Sequence, residues 1–320
     1  MYPNYTKAFL NLEGVFIKKV VQADSFIKIF IQSQPVEQTC PCCGAKTKRI
    51  HDYRLQEVQD IPLLGKQVIL LLRKRRYLCP YCRKRFTESY SFLPSYHRRT
   101  RRLAFYIVSL LRQTFSLKQI AELTGVSVQT VCRLLDTICY PPPDQLPQAL
   151  SIDEFKGNAS TGKYQCILVD PKKRRILDIL PDRTQSHLAA YWRHIPRKER
   201  LKVKFFVCDM WRPYTELAQT FFPNATIIVD KYHYVRQITY ALERVRVEEQ
   251  KKYSEQWRRY FKVSFTYQNW SKEILNSFEY PYTNGYIEGC NNRIKVLKRI
   301  SFGMPRFVRF RRRIMHIMLN

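Results

Sequence analysis

The sequence lacks the features that would place this chain in a membrane or outside the cell. Its 320 residues contain no apolar run that approaches the roughly 18 residues of a membrane-spanning helix, and the start MYPNYTKAF has no signal-peptide pattern. No internal repeat or low-complexity tract is present. We therefore expect a cytoplasmic protein that has no membrane partner.

Acidic residues are scarce. The chain has 26 Asp and Glu against 56 Lys and Arg, which gives a formal net charge of +30. Because uncompensated like charges repel one another, an excess of this size needs a polyanionic partner. The composition therefore favours a protein that binds nucleic acid.

Four of the ten cysteines form two CxxC pairs, CPCC at 40–43 and CPYC at 79–82. Two residues between cysteines let both thiolates reach one ion, and two such pairs make a tetrahedral site for structural Zn²⁺. A hairpin must join the pairs, with the apolar run before Cys79 as one strand. The expected ligands are Cys40, Cys43, Cys79 and Cys82. Two alternatives stay open: that Cys42 and not Cys43 pairs with Cys40, and that the four cysteines are ordinary buried or redox-active thiols that bind no metal.

Residues 116–135, SLKQIAELTGVSVQTVCRLL, have the pattern of a helix-turn-helix. Ser116 can cap a first helix, Gly125 allows a left-handed turn, and Ser127 can cap a second helix that begins at Val128. The second helix would then present its outward side chains to a DNA major groove. Those side chains are Gln129, Thr130 and Arg133. The alternative is a plain helical hairpin without DNA-binding function.

After the proline-rich segment YPPPDQLPQ, the period of the apolar residues predicts strands and helices in a clear order. Three strands come first, and helices then alternate with two more strands, which is typical of a mixed α/β sheet covered by helices. The expected strands are 150–155, 163–170, 174–180, 202–208 and 225–229. The expected helices are 185–195, 213–222, 232–255 and a basic helix from about 285.

Three carboxylates stand where predicted elements begin or end: Asp153 in ALSIDEF, Asp209 in VKFFVCDMW and Glu288 in YTNGYIEGCNNRIK. The first and fourth strands of such a sheet can be neighbours, so these acids could converge on divalent ions, Mg²⁺ or Mn²⁺, that cut phosphodiester bonds. Taken singly, an Asp at a strand end is more often a turn former than a metal ligand, and Glu288 in a first helical turn could simply interact with the helix dipole.

Asp230 is the main competing acid. It opens the segment DKYH, and His233 lies three residues further along the following helix. We expect both side chains to face the cleft, where they would support a metal ligand or position DNA. A capping Asp with a partly buried His is an equal alternative.

Together these residues resemble the ISL3 family of bacterial insertion-sequence transposases. The similarity lies in CPCCG with RRYLCPYCRKRFTE, in the helix-turn-helix, in SIDEF, in VCDMWRPY with FPNATIIVDKYH, and in TNGYIEGCNNRIKVLKRISFGMPRF. It implies an RNase H-like α/β core of the DDE type, with helices on both faces of a mixed sheet. It also implies that Asp153, Asp209 and Glu288 bind the catalytic metal ions, and that a helical insertion precedes the last acid.

The predicted organisation follows from these motifs. It comprises short N-terminal strands at 1–39, a zinc-binding module at 40–95, a helix-turn-helix domain at 96–140, a linker at 141–148 and a catalytic domain at 149–320 with its insertion at about 239–278.

The resemblance implies a DNA transposase of the bacterial nucleoid that binds terminal inverted repeats, cuts double-stranded DNA and joins the freed 3′ hydroxyl to a target. Residues 289–320 contain nine Lys and Arg and no acid, which suits phosphate contact. Two ends must be cut together, so we expect a homodimer or a larger synaptic complex. The residues of the last helix expected to contact DNA are Asn292, Lys295, Lys298 and Arg299.

Two other classes of protein share part of this pattern. A zinc-containing helix-turn-helix regulator, or an inactive transposase-derived protein, would keep the N-terminal motifs without needing the three acids. A recombinase with a covalent tyrosine or serine nucleophile is the other alternative, because Tyr and Arg are abundant. The three acids followed by an acid-free basic helix favour the metal-dependent transposase.

Overall fold

The chain divides into two compact units, residues 1–137 and residues 138–320, here called the N-terminal and C-terminal units. The computed structural model describes residues 10, 12, 14–157, 161–249, 266–301 and 304–319, apart from the side chains of residues 246, 248 and 249. Parts of the predicted first strands and of the predicted insertion lie outside these residues. No helix within the described residues is long and apolar enough to cross a membrane.

The N-terminal unit contains a five-stranded sheet with the order β1-β2-β6-β5, in which β7 also pairs with β6. Strands β2 and β6 are parallel and the other pairs are antiparallel. The strands predicted within 1–39 therefore share one sheet with those of the zinc-binding module. The strands are β1 (Val15–Gln22), β2 (Phe26–Ser33), β5 (Ile50–Leu63), β6 (Lys66–Leu78) and β7 (Arg85–Thr87), and β3 (Gln38–Thr39) and β4 (Lys46–Thr47) form a separate small hairpin.

A long hairpin of β5 and β6 joins the two CxxC pairs, as the sequence predicts. Its turn is Leu64-Gly65, and both residues have positive φ, 52° and 74°, a geometry that matches the right-handed twist of paired strands. One side of the hairpin packs into the apolar core through Val58 and Leu70, which are directly opposite each other and fully buried. Because the first CxxC pair precedes β5 and the second follows β6, the hairpin brings the two pairs to the same end.

Three helices follow the sheet: α1 (Arg101–Leu110), α2 (Leu117–Thr124) and α3 (Val128–Thr137). Ser116 caps α2 in a reciprocal capping box with Gln119, and Gly125 ends it with φ 70°. The Oγ of Ser127 accepts the backbone N–H of Thr130, which caps α3. Local hydrogen bonds of this kind form without distant partners, so the sequence predicted these helix boundaries closely.

The helix-turn-helix is fastened to β5 by polar contacts. Buried Asp60 accepts hydrogen bonds from Thr100 Oγ1 and Arg102 Nε, each 2.7 Å long, and Gln59 Nε2 donates to the carbonyl of Gly125 at 2.7 Å. Gly125 has φ 70°, a conformation that strains other residues, and an added Cβ would also displace the end of the Gln67 side chain. The turn between α2 and α3 is thus held against the sheet by the Gln59 hydrogen bond.

The C-terminal unit contains a five-stranded mixed sheet with the order β10-β9-β8-β11-β12. The pairs β10–β9 and β9–β8 are antiparallel, and the pairs β8–β11 and β11–β12 are parallel. The prediction that the first and fourth strands of this sheet are neighbours is confirmed. The strands are β8 (Ala149–Lys156), β9 (Tyr164–Asp170), β10 (Arg175–Leu180), β11 (Phe205–Cys208) and β12 (Thr226–Val229).

Seven helices of the C-terminal unit are formed by described residues. They are α4 (Gln185–His194), α5 (Arg197–Arg200), α6 (Arg212–Phe221), α7 (Lys231–Glu249), α8 (Ser271–Glu279), α9 (Gly285–Ile300) and α10 (Phe307–Met318). On one face of β8, Leu150 and Ile152 lie in the core formed with Leu188 of α4 and Leu217 of α6.

Helix α9 packs against the opposite face of β8. Because side chains alternate along a strand, Ser151 and Asp153 point away from the core of Leu150 and Ile152. Both hydrogen-bond to asparagines at α9, Ser151 to Asn284 and Asp153 to Asn291. Helix α9 is thereby placed over Asp153, and the mixed α/β architecture is confirmed.

Candidate active site and zinc centre

Four cysteine thiols of the N-terminal unit meet at one point. Cys40 Sγ lies 3.5 Å from Cys82 Sγ, Cys43 Sγ lies 3.5 Å from Cys79 Sγ, and all four sulfurs lie within 4.8 Å of one another. A tetrahedral ion about 2.3 Å from each sulfur requires sulfurs about 3.8 Å apart, so the cluster fits Zn²⁺. Four thiolates fill the coordination shell, which makes this ion structural.

The backbone of each CxxC turn prepares its first cysteine to bind metal. The N–H of Cys43 donates to the Cys40 thiolate and lowers the pKa of Cys40 to about 6, and the N–H of Cys82 lowers the pKa of Cys79 in the same way. The thiolate is the form that binds metal. Cys42 is exposed and outside the cluster. The structure thereby excludes the alternative register.

In the C-terminal unit, strand pairing brings Asp153 and Asp209 together. The last pair between β8 and β11 is Ser151 with Val207, and each aspartate lies two residues further on, hence on the same face of neighbouring strands. The sequence predicted Asp153 at the end of the first strand of the C-terminal unit. In the structure it is the fifth residue of β8 and pairs with Ile167. The reason is that the hairpin with β9 continues to Lys156 after the parallel pairing has stopped.

Burial and mutual repulsion disfavour the ionised forms of both aspartates. The pKa of Asp153 is raised first by burial and then by the charge of Asp209. The pKa of Asp209 is raised by burial and then by Asp230 and Glu154. Carboxylates that are crowded in this way bind a cation favourably, because the cation removes the repulsion.

The hydrogen bonds of the two aspartates leave oxygen atoms available to a ligand. Asp153 accepts the backbone N–H of Glu154 at 2.7 Å on Oδ1 and the Asn291 amide at 2.8 Å on Oδ2. His233 Nε2 lies 3.0 Å from Asp209 Oδ1, within ion-pair distance. Because each carboxylate oxygen has two lone pairs, the oxygens of both aspartates can still face a divalent cation.

Glu288 lines the same cleft as the two aspartates. The cleft has a volume of about 830 Å³, and Glu288 reaches it from the first turn of α9 with an exposed side chain. The three carboxylates are less closely gathered than the four sulfurs, which are the only group of this kind among the described residues. Two divalent ions about 3.5–4 Å apart do not require ligands as compact as those of one ion.

Basic side chains of α9 extend the cleft beyond the acids. Lys295, Lys298 and Arg299, which the sequence predicts to contact DNA, line it. Asn292 is exposed and does not line it, whereas its neighbour Asn291 does. The buried row of α9 runs through Ile287, Cys290, Asn291 and Ile294, so Asn291 is the asparagine on the side of the sheet.

Asp230 and His233 occupy different places. Asp230 is buried, and its Oδ1 accepts the backbone N–H of Asn284 at 2.8 Å, where α9 begins. It is not among the residues that line the cleft, whereas His233 is. Asp230 thus orients the helix that carries Glu288, a role at a distant helix that neither alternative raised from the sequence had named.

The sequence left several cleft residues without a role. Glu154 lines the cleft and forms an ion pair with Arg183, whose guanidinium stacks on Tyr164 and Trp211. Helix α7 adds Tyr232 and Arg236. The available signal was the helical spacing of Arg236, which lies four residues after Tyr232 and three after His233 and so neighbours each of them on the surface of α7.

In the N-terminal unit, the predicted recognition residues lie on α3. Gln129 and Arg133 are exposed, and Thr130 is half-buried beside the cap at Ser127. Burial and the nearby charge of Arg133 lower the pKa of Arg99, and the buried Arg99 Nε has no hydrogen-bond partner among described residues. The like charges of Arg99 and Arg133 repel each other, and an anionic partner such as a phosphate would remove this repulsion.

Three family models match the chain. They are a model described as "Transposase" at residues 150–265 and 258–314, "zinc-finger of transposase IS204/IS1001/IS1096/IS1165" at 37–82, and "Helix-turn-helix domain of transposase family ISL3" at 88–139. The first model alone spans more than half of the 320 residues.

Two known proteins show similarity. The transposase for insertion sequence element IS1001 of Bordetella parapertussis is 28% identical over 232 residues, which cover 70% of this chain and 56% of that protein. A protein of Lactococcus lactis subsp. lactis named ATP-dependent protease is 44% identical over 50 residues, 16% of each chain. The chain thus spans little more than half the length of the IS1001 transposase. On the three family matches, this chain belongs to the ISL3 family of transposases.

Proposed function

We propose that this chain cuts and joins DNA as the transposase of a bacterial insertion sequence, with Asp153, Asp209 and Glu288 as ligands of Mg²⁺ or Mn²⁺. The observation that carries the proposal is the cleft in which Asp153 and Asp209 meet on adjacent strands while Glu288 enters from α9. Bound divalent ions would activate an oxygen nucleophile and stabilise the charge that develops on the phosphate. The raised pKa of both aspartates supports a cation at this place.

The protein's own residues would hold the DNA strand beside these acids. Lys295, Lys298 and Arg299 line the cleft on the same helix as Glu288, and Arg236 lines it from α7. Cations there offset the repulsion between a phosphodiester backbone and a group of carboxylates. Asp230 and Asn284 set the position of α9, so the distance from Glu288 to the aspartates depends on them.

An RNase H-like core is part of the proposal. It is supported by a sheet of three antiparallel strands followed by two parallel strands, with the acids on β8 and directly after β11. We also propose that the zinc centre and the helix-turn-helix bind the terminal inverted repeats of double-stranded DNA. Because two ends must be cut together, the active form would contain at least two copies of the chain.

The proposed reaction is tested with labelled DNA that carries the inverted repeats of the element. The zinc-loaded chain is expected to cut at the repeat ends when Mg²⁺ or Mn²⁺ is added and not when the added ion is omitted. Asp153→Ala is expected to abolish cutting, because it removes a ligand at the centre of the cleft. Product strands are resolved on denaturing gels.

Some outcomes would contradict this function. Cutting that persists in Asp153→Ala, or protein that stays covalently attached to the product, would favour a recombinase with a covalent nucleophile. Specific binding of the repeats without any cutting, in the presence of either ion, would favour a regulator or an inactive copy. Omission of the ion is preferable to a chelator, since a chelator could also remove the structural zinc.

Recognition by α3 gives a separate prediction. Gln129→Ala is expected to weaken binding to the inverted repeat by about 1–3 kcal/mol, because it removes an exposed side chain of the helix proposed to enter the major groove. Binding to a scrambled duplex is expected to stay nearly unchanged. Fluorescence anisotropy at one fixed salt concentration measures both affinities.

Lys118→Ala is the matched control for this measurement. Lys118 lies on α2 of the same helix-turn-helix, is highly exposed and faces Glu122 one turn away. Its loss is expected to change both affinities slightly and equally. A loss of repeat affinity in Lys118→Ala but not in Gln129→Ala would contradict this prediction, because it would mean that α2 and not α3 recognises the repeat.

A further inference from the structure

Asn291 has an unusual environment at the centre of the cleft. It lies on α9 one turn after Glu288, the residue is only 7% exposed, and it lines the cleft. Its Nδ2 donates to Asp153 Oδ2 at 2.8 Å and more weakly to the backbone carbonyl of Glu154 at 3.4 Å. Its Oδ1 is buried and accepts no hydrogen bond from any residue that the structure describes.

The orientation of the Asn291 amide follows from its partners. An ionised carboxylate and a carbonyl only accept hydrogen bonds, so the NH₂ group must face Asp153 and Glu154. The carbonyl oxygen is thereby directed to the other side of the amide plane. Buried oxygens of this kind are rarely without a partner in folded proteins, which points to a ligand that supplies positive charge or a donor.

Asn291 is not needed merely to fasten α9 to the sheet. The same helix is already held at its start by Asn284, which bonds to Ser151 and Asp230, and near its end by Lys298, which donates to the carbonyl of Lys156 at 3.2 Å. Apolar side chains bury its length between these points. If Asn291 only linked α9 to the sheet, we would expect both its NH₂ group and its carbonyl oxygen to have protein partners. Among the described residues, only the NH₂ group has them.

We propose that Asn291 is a positioning residue and an additional oxygen donor of the divalent-metal centre. Its N–H group fixes Asp153, whose other oxygen is held by the Glu154 backbone N–H. Its Oδ1 is presented to the ion, and amide carbonyl oxygens are hard ligands that suit Mg²⁺ and Mn²⁺. The inference rests on the proposed function and extends the ligand set beyond the three acids.

The test measures binding of Mn²⁺ alone to the full zinc-loaded chain without DNA, from the free-ion signal in electron paramagnetic resonance. Asn291→Leu, which keeps the branching at Cγ and removes both polar atoms, is expected to weaken Mn²⁺ affinity about 10- to 100-fold. Asn291→Asp keeps one oxygen in the same place and is expected to recover most of the affinity. The four thiolates prefer softer metals, so Mn²⁺ should not displace zinc.

Asn292→Leu is the matched control, because Asn292 is the next residue of α9, is exposed and does not line the cleft. Its Mn²⁺ affinity is expected to equal that of the unaltered chain. Unchanged affinity in Asn291→Leu, or an equal loss in Asn292→Leu, would overturn the inference. Affinity for Asn291→Asp as weak as for Asn291→Leu would overturn the role of the oxygen.

A purely structural role for Asn291 gives a different result. In that case, Asn291→Leu would lower the melting temperature without added Mn²⁺ and leave the affinity for Mn²⁺ intact. Asp209→Asn separates this inference from the proposed function. If Asp209→Asn binds Mn²⁺ as tightly as the unaltered chain, the metal site itself is wrong, whereas loss of affinity in Asp209→Asn but not in Asn291→Leu rejects the role of Asn291 alone.

Discussion

Asp209→Asn is expected to abolish DNA cutting and, in the absence of divalent ions, to raise the melting temperature of the C-terminal unit at pH 8. The loss of cutting should reach about 10³-fold or more, since metal-assisted charge stabilisation contributes several kcal/mol and each 1.4 kcal/mol changes the rate tenfold. The gain in stability follows from the raised pKa of Asp209, which shows that its charge is unfavourable in the folded state without a cation.

The sign of the pH dependence follows from the direction of that shift. In the metal-free folded chain, burial and the neighbouring acids raise the pKa of Asp209 to about 7, whereas the unfolded carboxyl titrates near its ordinary value of 3.8. The loss of stability therefore builds up between pH 3.8 and pH 7, where the unfolded carboxyl is ionised and the folded one is not, and it is constant above pH 7. The stabilisation by Asn, on the order of 4 kcal/mol for a shift of this size, should be complete at pH 8 and should shrink as the pH falls from 7 towards 3.8.

Asp178→Asn is the matched control for stability. Asp178 is also buried and its pKa is also raised by burial, but it forms an ion pair with Arg311 at 2.6 Å and accepts a hydrogen bond from Tyr191. Its neutralisation is expected to destabilise the chain, because it leaves a partly buried guanidinium without its counter-charge. Differential scanning calorimetry at pH 8 and pH 5.5 measures both variants.

An Asp209→Asn chain that melts lower than the unaltered chain at pH 8 would contradict this account. It would mean that Asp209 stabilises the fold through contacts and is not strained by its neighbours. Added Mg²⁺ is expected to reverse the order of the two chains, because only the unaltered chain gains stability by binding the ion. These opposite effects on activity and metal-free stability are typical of acids whose placement serves a ligand.

The local parts of the fold were readable from the sequence because their causes are local. Ser116, Gly125 and Ser127 satisfy backbone groups within three or four residues, so the helix-turn-helix follows from short motifs. The order of strands in the C-terminal unit also followed from the apolar period. The CxxC spacing already favoured Cys43 over Cys42, but the Cys42 register could be excluded only in three dimensions, since adjacent thiols have the same local chemistry and differ in direction.

The parts of the site that depend on distant pairing were less readable. Asp230 acts through Asn284, which lies 54 residues further along the chain, and no local pattern connects the two. Asn291 and Asn292 are both at helical distance from Glu288, and only the packing of α9 on β8 selects Asn291. A polar residue inside the buried row of a helix was the signal in the sequence, but its partner strand had to be known for it to be interpreted.

The zinc centre gives the second large effect. Cys43→Ser is expected to reduce bound zinc from about one ion per chain to nearly none and to unfold the two CxxC turns that surround it. Cys43 Sγ lies 3.5 Å from Cys79 Sγ inside the sulfur cluster, and a structural zinc site contributes on the order of 10 kcal/mol, which is comparable to the stability of a whole domain. Affinity for the inverted repeats should fall with it.

Cys42→Ser isolates the contribution of metal binding, because it changes the adjacent residue in the same way. Cys42 is exposed and lies outside the cluster, so this variant is expected to keep its zinc, its melting temperature and its affinity for DNA. Zinc content by elemental analysis, together with calorimetry, distinguishes the two variants. Zinc that is retained in Cys43→Ser and lost in Cys42→Ser would reverse the ligand assignment. Zinc retained in both would mean that three thiolates suffice to hold the ion, and the melting temperature of Cys43→Ser would then show how much of the N-terminal unit's stability depends on the fourth sulfur.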